Sequence, residues 1–266
     1  MNKISDDIAE TAEIFWQRGW AEANAGNISV NCTGNRDTDN IFTQPNPLKL
    51  NTSFRGITEQ SILITSTGSR MRDIARDPVK YLGVINISSG GETSVFYTCK
   101  GSEHLRPSSE LPTHLLIHQM LKKKASLNTA IVHCHATELI AISHLPDFSD
   151  EKQLNDRLFS IHPEAIISLP EGIGLAGYQL TGSEELAAET LMKFETHDLV
   201  LWPFHGCIAV GVDVRQAMDR IDIMNKAAGI YLVCRRAGFE PRGLTTEELS
   251  EIKRKYIIDV RNNIHP

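Results

Sequence analysis

Short apolar runs rich in isoleucine, leucine and valine are interleaved with helix-like segments in no regular order, and this irregular mixture restricts the fold more than any other feature of the chain. The runs at residues 28–30, 61–65, 82–87, 93–97, 130–135, 165–169, 198–202 and 207–210 have strand length and are bounded by glycine, proline or short polar residues. Helices are expected from Ser5 to about Asn24, over 111–124, 137–144 and 184–194, from Asp213 to just before Gly238, and again from Thr246. Their signals are local: Ser109 as a candidate N-cap ahead of Pro112, the box-like starts Thr181-Gly182-Ser183-Glu184 and Asp213 to Gln216, and Gly238 as a terminating glycine. Residues 31–51, rich in Asn, Asp, Thr and Pro, read as a long surface excursion with little regular structure, and 146–156 as a polar connection. With no repeat and no low-complexity linker, residues 1–266 are expected to form a single α/β domain. The mixed strand order argues against a simple dinucleotide-binding fold, and neither G-x-G-x-x-G nor a P-loop is present.

At 266 residues and 41% hydrophobic content the chain can bury a substantial core. Its net charge of −6 and pI near 5.9 offer no positive face for nucleic acid or an anionic membrane, so an anionic ligand has to be held by local groups. No apolar run approaches the roughly 20 residues needed to span a bilayer, and Met1 to Asp7 lacks the apolar stretch of a signal peptide. The five cysteines form no C-x-x-C pair and read as reduced thiols, which fits a cytoplasmic protein.

His133-Cys134-His135 at the end of an apolar run carries the sharpest chemical signal. Side chains two apart on a strand share a face, so the two imidazoles can hold one ion together while Cys134 turns away. A catalytic zinc needs a third protein ligand and an open position. His205 is the best candidate, because it follows a second apolar run and precedes Gly206, which lets the backbone come close. His104, His144, His162, His197 and His265 lack such a setting; His114 and His118 share a helix face at i, i+4 and form the alternative metal pair. In Pro107-Ser108-Ser109-Glu110-Leu111-Pro112, two hydroxyls and a carboxylate sit at the mouth of a helix, suited either to phosphate or to simple capping. Two glycine-containing polar loops, Asn24-Ala25-Gly26-Asn27 and Thr65-Ser66-Thr67-Gly68-Ser69, could add an N–H-lined nest for an anion.

In this order, Gly19-Trp20, Gly26-Asn27-Ile28-Ser29, Ile64-Thr65-Ser66-Thr67-Gly68, Ser108-Ser109-Glu110-Leu111-Pro112, His133-Cys134-His135-Ala136-Thr137 and Leu199-Val200-Leu201-Trp202-Pro203-Phe204-His205-Gly206 resemble the class II aldolase/adducin family over nearly the whole chain. The resemblance implies a central, mixed, mostly antiparallel β-sheet flanked by helices. It also implies zinc-dependent retro-aldol cleavage of a phosphorylated ketose, a cytoplasmic homotetramer, and a small-molecule sugar phosphate as the partner. By the same resemblance His133, His135 and His205 bind one zinc ion per subunit and Glu110 is the acid/base. Asn27, Thr67, Gly68, Ser108 and Ser109 hold the substrate phosphate, and Glu164 is a carboxylate supplied across a subunit interface. Two positions depart from the family pattern: Ala25 stands where a second glycine is common, and Ser66-Thr67-Gly68 replaces a Gly-Ser-Gly-like turn while keeping a hydroxyl and a glycine. The alternatives within the fold are an L-fuculose-1-phosphate aldolase and a related zinc-dependent sugar-phosphate dehydratase or epimerase, and, outside catalysis, an adducin-like binding module.

Overall fold

A computed structural model describes residues 3–58 and 60–257; His265 and the two ends of the expected 1–266 domain lie outside the described residues. The chain divides into two units, Met1–His135 with Gln179–Leu191 and Val210–Met218, and Ala136–Tyr178 with Met192–Ala209 and Asp219–Pro266.

The first unit holds helices α1 (Lys3–Arg18), α2 (Arg36–Ile41), α3 (Met71–Arg76) and α4 (Leu111–Lys123), with strands β1 (Asn27–Asn31), β2 (Gln44–Lys49), β3 (Ser61–Thr65), β4 (Leu82–Ile87), β5 (Thr93–Thr98) and β6 (Ala130–Cys134). These strands are ordered β2-β5-β4-β3-β1-β6, and each neighbouring pair is antiparallel. Ile62 and Ile64 of β3, Ile85 and Ile87 of β4 and Phe96 of β5 form one apolar cluster with Leu111 and Leu115 of α4. Each of these side chains contributes about 1.5–3 kcal/mol by leaving water. The i, i+4 spacing that lays Leu111 and Leu115 on this cluster turns His114 and His118, one step round the helix, toward Ser29 of β1.

The second unit holds α5 (Thr137–Ser143), α6 (Glu151–Ile161), α7 (Pro163–Ser168), β7 (Gly174–Leu175) and β8 (Leu199–Trp202). Helices α8 (Glu184–Lys193) and α9 (Val214–Arg236) and strand β9 (Gly206–Gly211) carry residues of both units, and α10 (Thr246–Ile252) follows. Strand β8 pairs antiparallel with β9 and parallel with β7, so the sheet is mixed but mostly antiparallel, as the family resemblance implies. Among the described residues no helix is long and apolar enough to cross a membrane, and the five cysteines form no disulfide.

Several elements differ from expectation. Residues 165–169 form no strand; they lie in or just after α7, where Pro163 occupies the first turn and fixes a helical φ after extended His162. The excursion at 31–51 contains α2, capped by the Asn35 side chain, and the edge strand β2. Pro45 and Pro47 fit that strand because it pairs on one side only: Leu50 N, in phase with the even-numbered residues, donates to Glu92 O, so the odd positions face outward. The connection at 146–156 opens α6, with Asp150 accepting from Gln153 N. Helix α1 stops at Arg18, where Gly19 takes φ +71°. Ser183 rather than Thr181 caps α8, accepting from Leu186 N. Helix α10 opens at Thr246 as expected, with Thr245 as its N-cap in a full capping box with Glu248.

Candidate metal centre and its surroundings

Two structural features bring the H-x-H pair into place. Antiparallel pairing sets His133 directly opposite Asn27, and the His135 N–H donates to Trp20 O just past the end of β6. The rings of His133 and His135 lie 5.3 Å apart, edge to face. Gly26 makes this approach possible: it takes φ +79°, and a Cβ there would sit 3.1 Å from the His133 carbonyl oxygen.

His205 lies in the turn joining β8 to β9, its N–H donating to Trp202 O and its ring stacked on the Trp202 indole at 5.2 Å. The preceding Phe204 adopts φ +66°, a left-handed conformation unusual for a side chain of this size, and its N–H donates to Ser143 Oγ. Ring nitrogens of His133, His135 and His205 all lie within 4.8 Å of one another, making the one group capable of holding a metal found among the described residues. Three imidazole donors so grouped fit a catalytic divalent cation, which usually takes three protein ligands and keeps a position for substrate.

The carboxylate of Glu22, which sequence reasoning did not single out, meets His135 Nδ1 at 2.7 Å. A ligand imidazole commonly donates its second N–H to such a group, which fixes the ring and leaves the other nitrogen for the ion. Partial burial works to raise the Glu22 pKa, but the His135 hydrogen bond, a backbone hydrogen bond and the two histidine charges outweigh it, and the net shift is downward. No local signal marks Glu22, because its partner lies far along the sequence.

Glu110 occupies the N-cap position of α4, nearly buried, with its Oε2 accepting from Asn27 Nδ2 at 2.9 Å and standing 3.9 Å from His133 Nε2. Behind it lies a buried polar cluster: Asn27 Oδ1 meets His114 Nε2, and Ser29 Oγ meets both His114 Nδ1 at 2.7 Å and His118 Nε2 at 2.9 Å. Thus the alternative histidine pair converges on a serine and forms no metal-capable group. Burial holds the His114 imidazole down at about 4, against the pull of the Glu110 charge, and burial together with His114 holds His118 at about 3.

The two hydroxyl-bearing loops lie side by side. Thr67 N donates to Arg106 O, Ser108 N donates to Thr65 O, and Ser66 bridges Pro107; Thr65 Oγ1 also accepts from Ile28 N, next to Asn27. Thr67, Gly68 and Ser109 are exposed, Ser108 is buried, and Gly68 takes φ +73°. Ser109 does not cap α4; instead Ser108 Oγ accepts from Glu110 N. A neighbouring pocket of about 640 Å³ bordered by both serines has a mostly apolar wall including Leu50, Phe54, Leu115 and Leu191. It contains neither Glu110 nor any of His133, His135 and His205, so it is not the candidate centre. Glu164 is exposed on the first turn of α7 and belongs to no metal-capable group.

The profile of the Class II Aldolase and Adducin N-terminal domain matches residues 6–232. A rhamnulose-1-phosphate aldolase of Bacteroides thetaiotaomicron is 38% identical over 94% of this chain and 93% of its own length. Another from Escherichia fergusonii is 29% identical over 91% and 89%. Among solved structures, a sugar-phosphate aldolase from Thermotoga maritima superposes with a TM-score of 0.79 at 34% identity, covering 91% of this chain and 98% of that one. An L-fuculose 1-phosphate aldolase shares the fold at a TM-score of 0.64 and 20% identity, covering 97% of each chain. The chain therefore belongs to the class II aldolase and adducin family, and to its aldolase branch: it is a lyase of the metal-dependent type.

Proposed function

We propose that the protein cleaves L-rhamnulose 1-phosphate into dihydroxyacetone phosphate and L-lactaldehyde, with zinc held by His133, His135 and His205. The observation that carries this reading is the gathering of three imidazole nitrogens within 4.8 Å, with the Glu110 carboxylate 3.9 Å from one of them. When bound, zinc supplies Lewis-acid stabilisation of the negative charge that the ketose fragment acquires as its C3–C4 bond breaks, so no lysine Schiff base is needed.

The remaining tasks fall to side chains. The C4 hydroxyl loses its proton at the aldehyde end as the bond breaks, and Glu110, anchored by Asn27 and buried beside His133, takes up a proton and passes it to C3 of the departing fragment. Asn27, Thr67, Gly68, Ser108 and Ser109 hold the phosphate; the hydrogen-bonded pairing of their two loops supports this, as does an α4 N-terminus free of any side-chain cap. Glu164 assists at the aldehyde end. Its exposure suits a residue offered to a neighbouring subunit, and with it goes the proposal of a cytoplasmic homotetramer. The family match runs through both units, which supports reading residues 1–266 as one functional domain.

Rhamnulose is preferred over fuculose because of the identity to the Bacteroides enzyme over nearly the whole of both chains. The test is release of dihydroxyacetone phosphate from each ketose phosphate, before and after chelation and again after adding zinc. Chelator-sensitive cleavage that favours L-rhamnulose 1-phosphate is expected. Preference for the fuculose substrate would move the specificity alone, and no cleavage of either by zinc-loaded protein would remove the aldolase reading.

A further inference from the structure

The buried cluster behind Glu110 has a direction. Asn27 Nδ2 donates to Glu110 Oε2, and Asn27 Oδ1 points the other way, toward His114 Nε2. A carbonyl oxygen also only accepts, so His114 carries its proton on Nε2. Burial keeps that ring neutral, with its pKa down at about 4, which leaves Nδ1 bare. The Ser29 hydroxyl has one proton, and it must go to His114 Nδ1. Ser29 Oγ is then the acceptor for His118, whose proton therefore sits on Nε2. Every donor and acceptor in the series thus follows from the bond at its end: His118 to Ser29, Ser29 to His114, His114 to Asn27, Asn27 to Glu110.

We propose that Ser29, His114 and His118 are positioning residues of the aldol reaction, forming a one-way hydrogen-bond chain that fixes the Asn27 amide and, through it, the Glu110 carboxylate. The inference rests on the reading of Glu110 as the proton-transfer group. Its physical basis is the cost of misplacement: buried polar groups with a single satisfied arrangement resist rotation, and the reacting carboxylate inherits that rigidity. Asn27, Ser29, His114 and His118 are all buried, so no solvent molecule at the surface can substitute for a lost link.

The first measurement reads the unmodified protein without turnover. Side-chain ¹⁵N spectra of the histidines should show His114 and His118 as neutral rings, each protonated on Nε2. A proton on His114 Nδ1, or a charged His114 at neutral pH, would overturn the chain. The second measurement uses variants. Ser29→Ala and His118→Leu should lower kcat about 10-fold with KM and metal content unchanged. His118→Gln, whose amide nitrogen can take the place of the Nε2 donor, should stay within about twofold of the unmodified rate. Wild-type kcat in Ser29→Ala, or equal losses in the Leu and Gln variants, would show a merely structural role and refute the proposal. Full turnover in Glu110→Gln would bring down the role given to Glu110. The nitrogen spectra separate that failure from a failure of the chain.

Discussion

Two histidine pairs in this protein carry spacings that suit a metal ion, yet they are used differently. His133 and His135, two apart at the end of β6, join His205. His114 and His118, four apart on α4, close on Ser29. Spacing brings each pair onto one face, but what lies across that face decides the outcome. The strand pair ends at a loop boundary, where His135 keeps some exposure and Glu22 fixes its ring. The helix pair is sealed against the sheet, where both nitrogens of His114 and Nε2 of His118 find partners within the protein and both rings are held neutral.

The largest effect that could break this contrast is removal of a proposed ligand. His133→Ala or His205→Ala should lose bound metal and at least about a thousandfold in turnover, since several kcal/mol of charge stabilisation go with it. His118→Gln should retain metal at the unmodified stoichiometry. Metal analysis of purified protein reads both, and equal metal loss in the two classes would erase the distinction. Next in size, Glu110→Gln should keep the metal while turnover falls by about 10²–10⁴-fold, as expected for a lost acid/base; steady-state rates on L-rhamnulose 1-phosphate decide it.

Acid sharpens the contrast from the other side. The helix pair has folded-state values near 4 and 3, below the 6.5 of a free imidazole, so the unfolded chain takes up protons that the folded protein refuses. Their stabilising contribution is therefore complete above about pH 6.5 and drains away as pH falls toward 4 and then 3. The loss is on the order of 3 kcal/mol for His114 and about 5 kcal/mol for His118. Urea unfolding of metal-free protein at pH 7, 5 and 4 should show it, and a double His114→Asn, His118→Gln variant should be markedly less acid-sensitive. Smallest is Glu22→Gln, for which metal affinity should weaken about 10- to 100-fold while maximal turnover at saturating metal stays close to normal. Metal titration with a competing chelator would measure the shift, and an unchanged affinity would deny Glu22 its part in holding His135.

What the sequence disclosed follows the range of each interaction. Strands β1, β3, β4, β5, β6, β8 and β9 were legible because their apolar runs are long enough to report their own burial, and the H-x-H face follows from strand periodicity alone. His205 was reachable because a glycine follows it at the end of an apolar run. The segment at 165–169 misled, since two adjacent isoleucines in a short apolar run fit a helix or a strand equally, and Pro163 settled the matter. Strand β2 was hidden by its outward prolines and polar residues, which look like loop composition. Neither Glu22 nor the direction of the Ser29 chain could be read locally, because each depends on partners brought together by β1, β6 and α4 from distant parts of the sequence.

Strand β2 also bears on how copies of this chain behave toward one another while they fold. Its outward positions are Pro45, Pro47 and Lys49. The two prolines have no N–H to offer an incoming strand, and the lysine would carry its charge into any such contact. A row of open donors there would invite the edge-to-edge growth that ends in fibres or precipitate. This rim of the sheet is instead chemically blunt, which guards a concentrated or newly made chain against templated aggregation without removing a hydrogen bond from the pairing with β5.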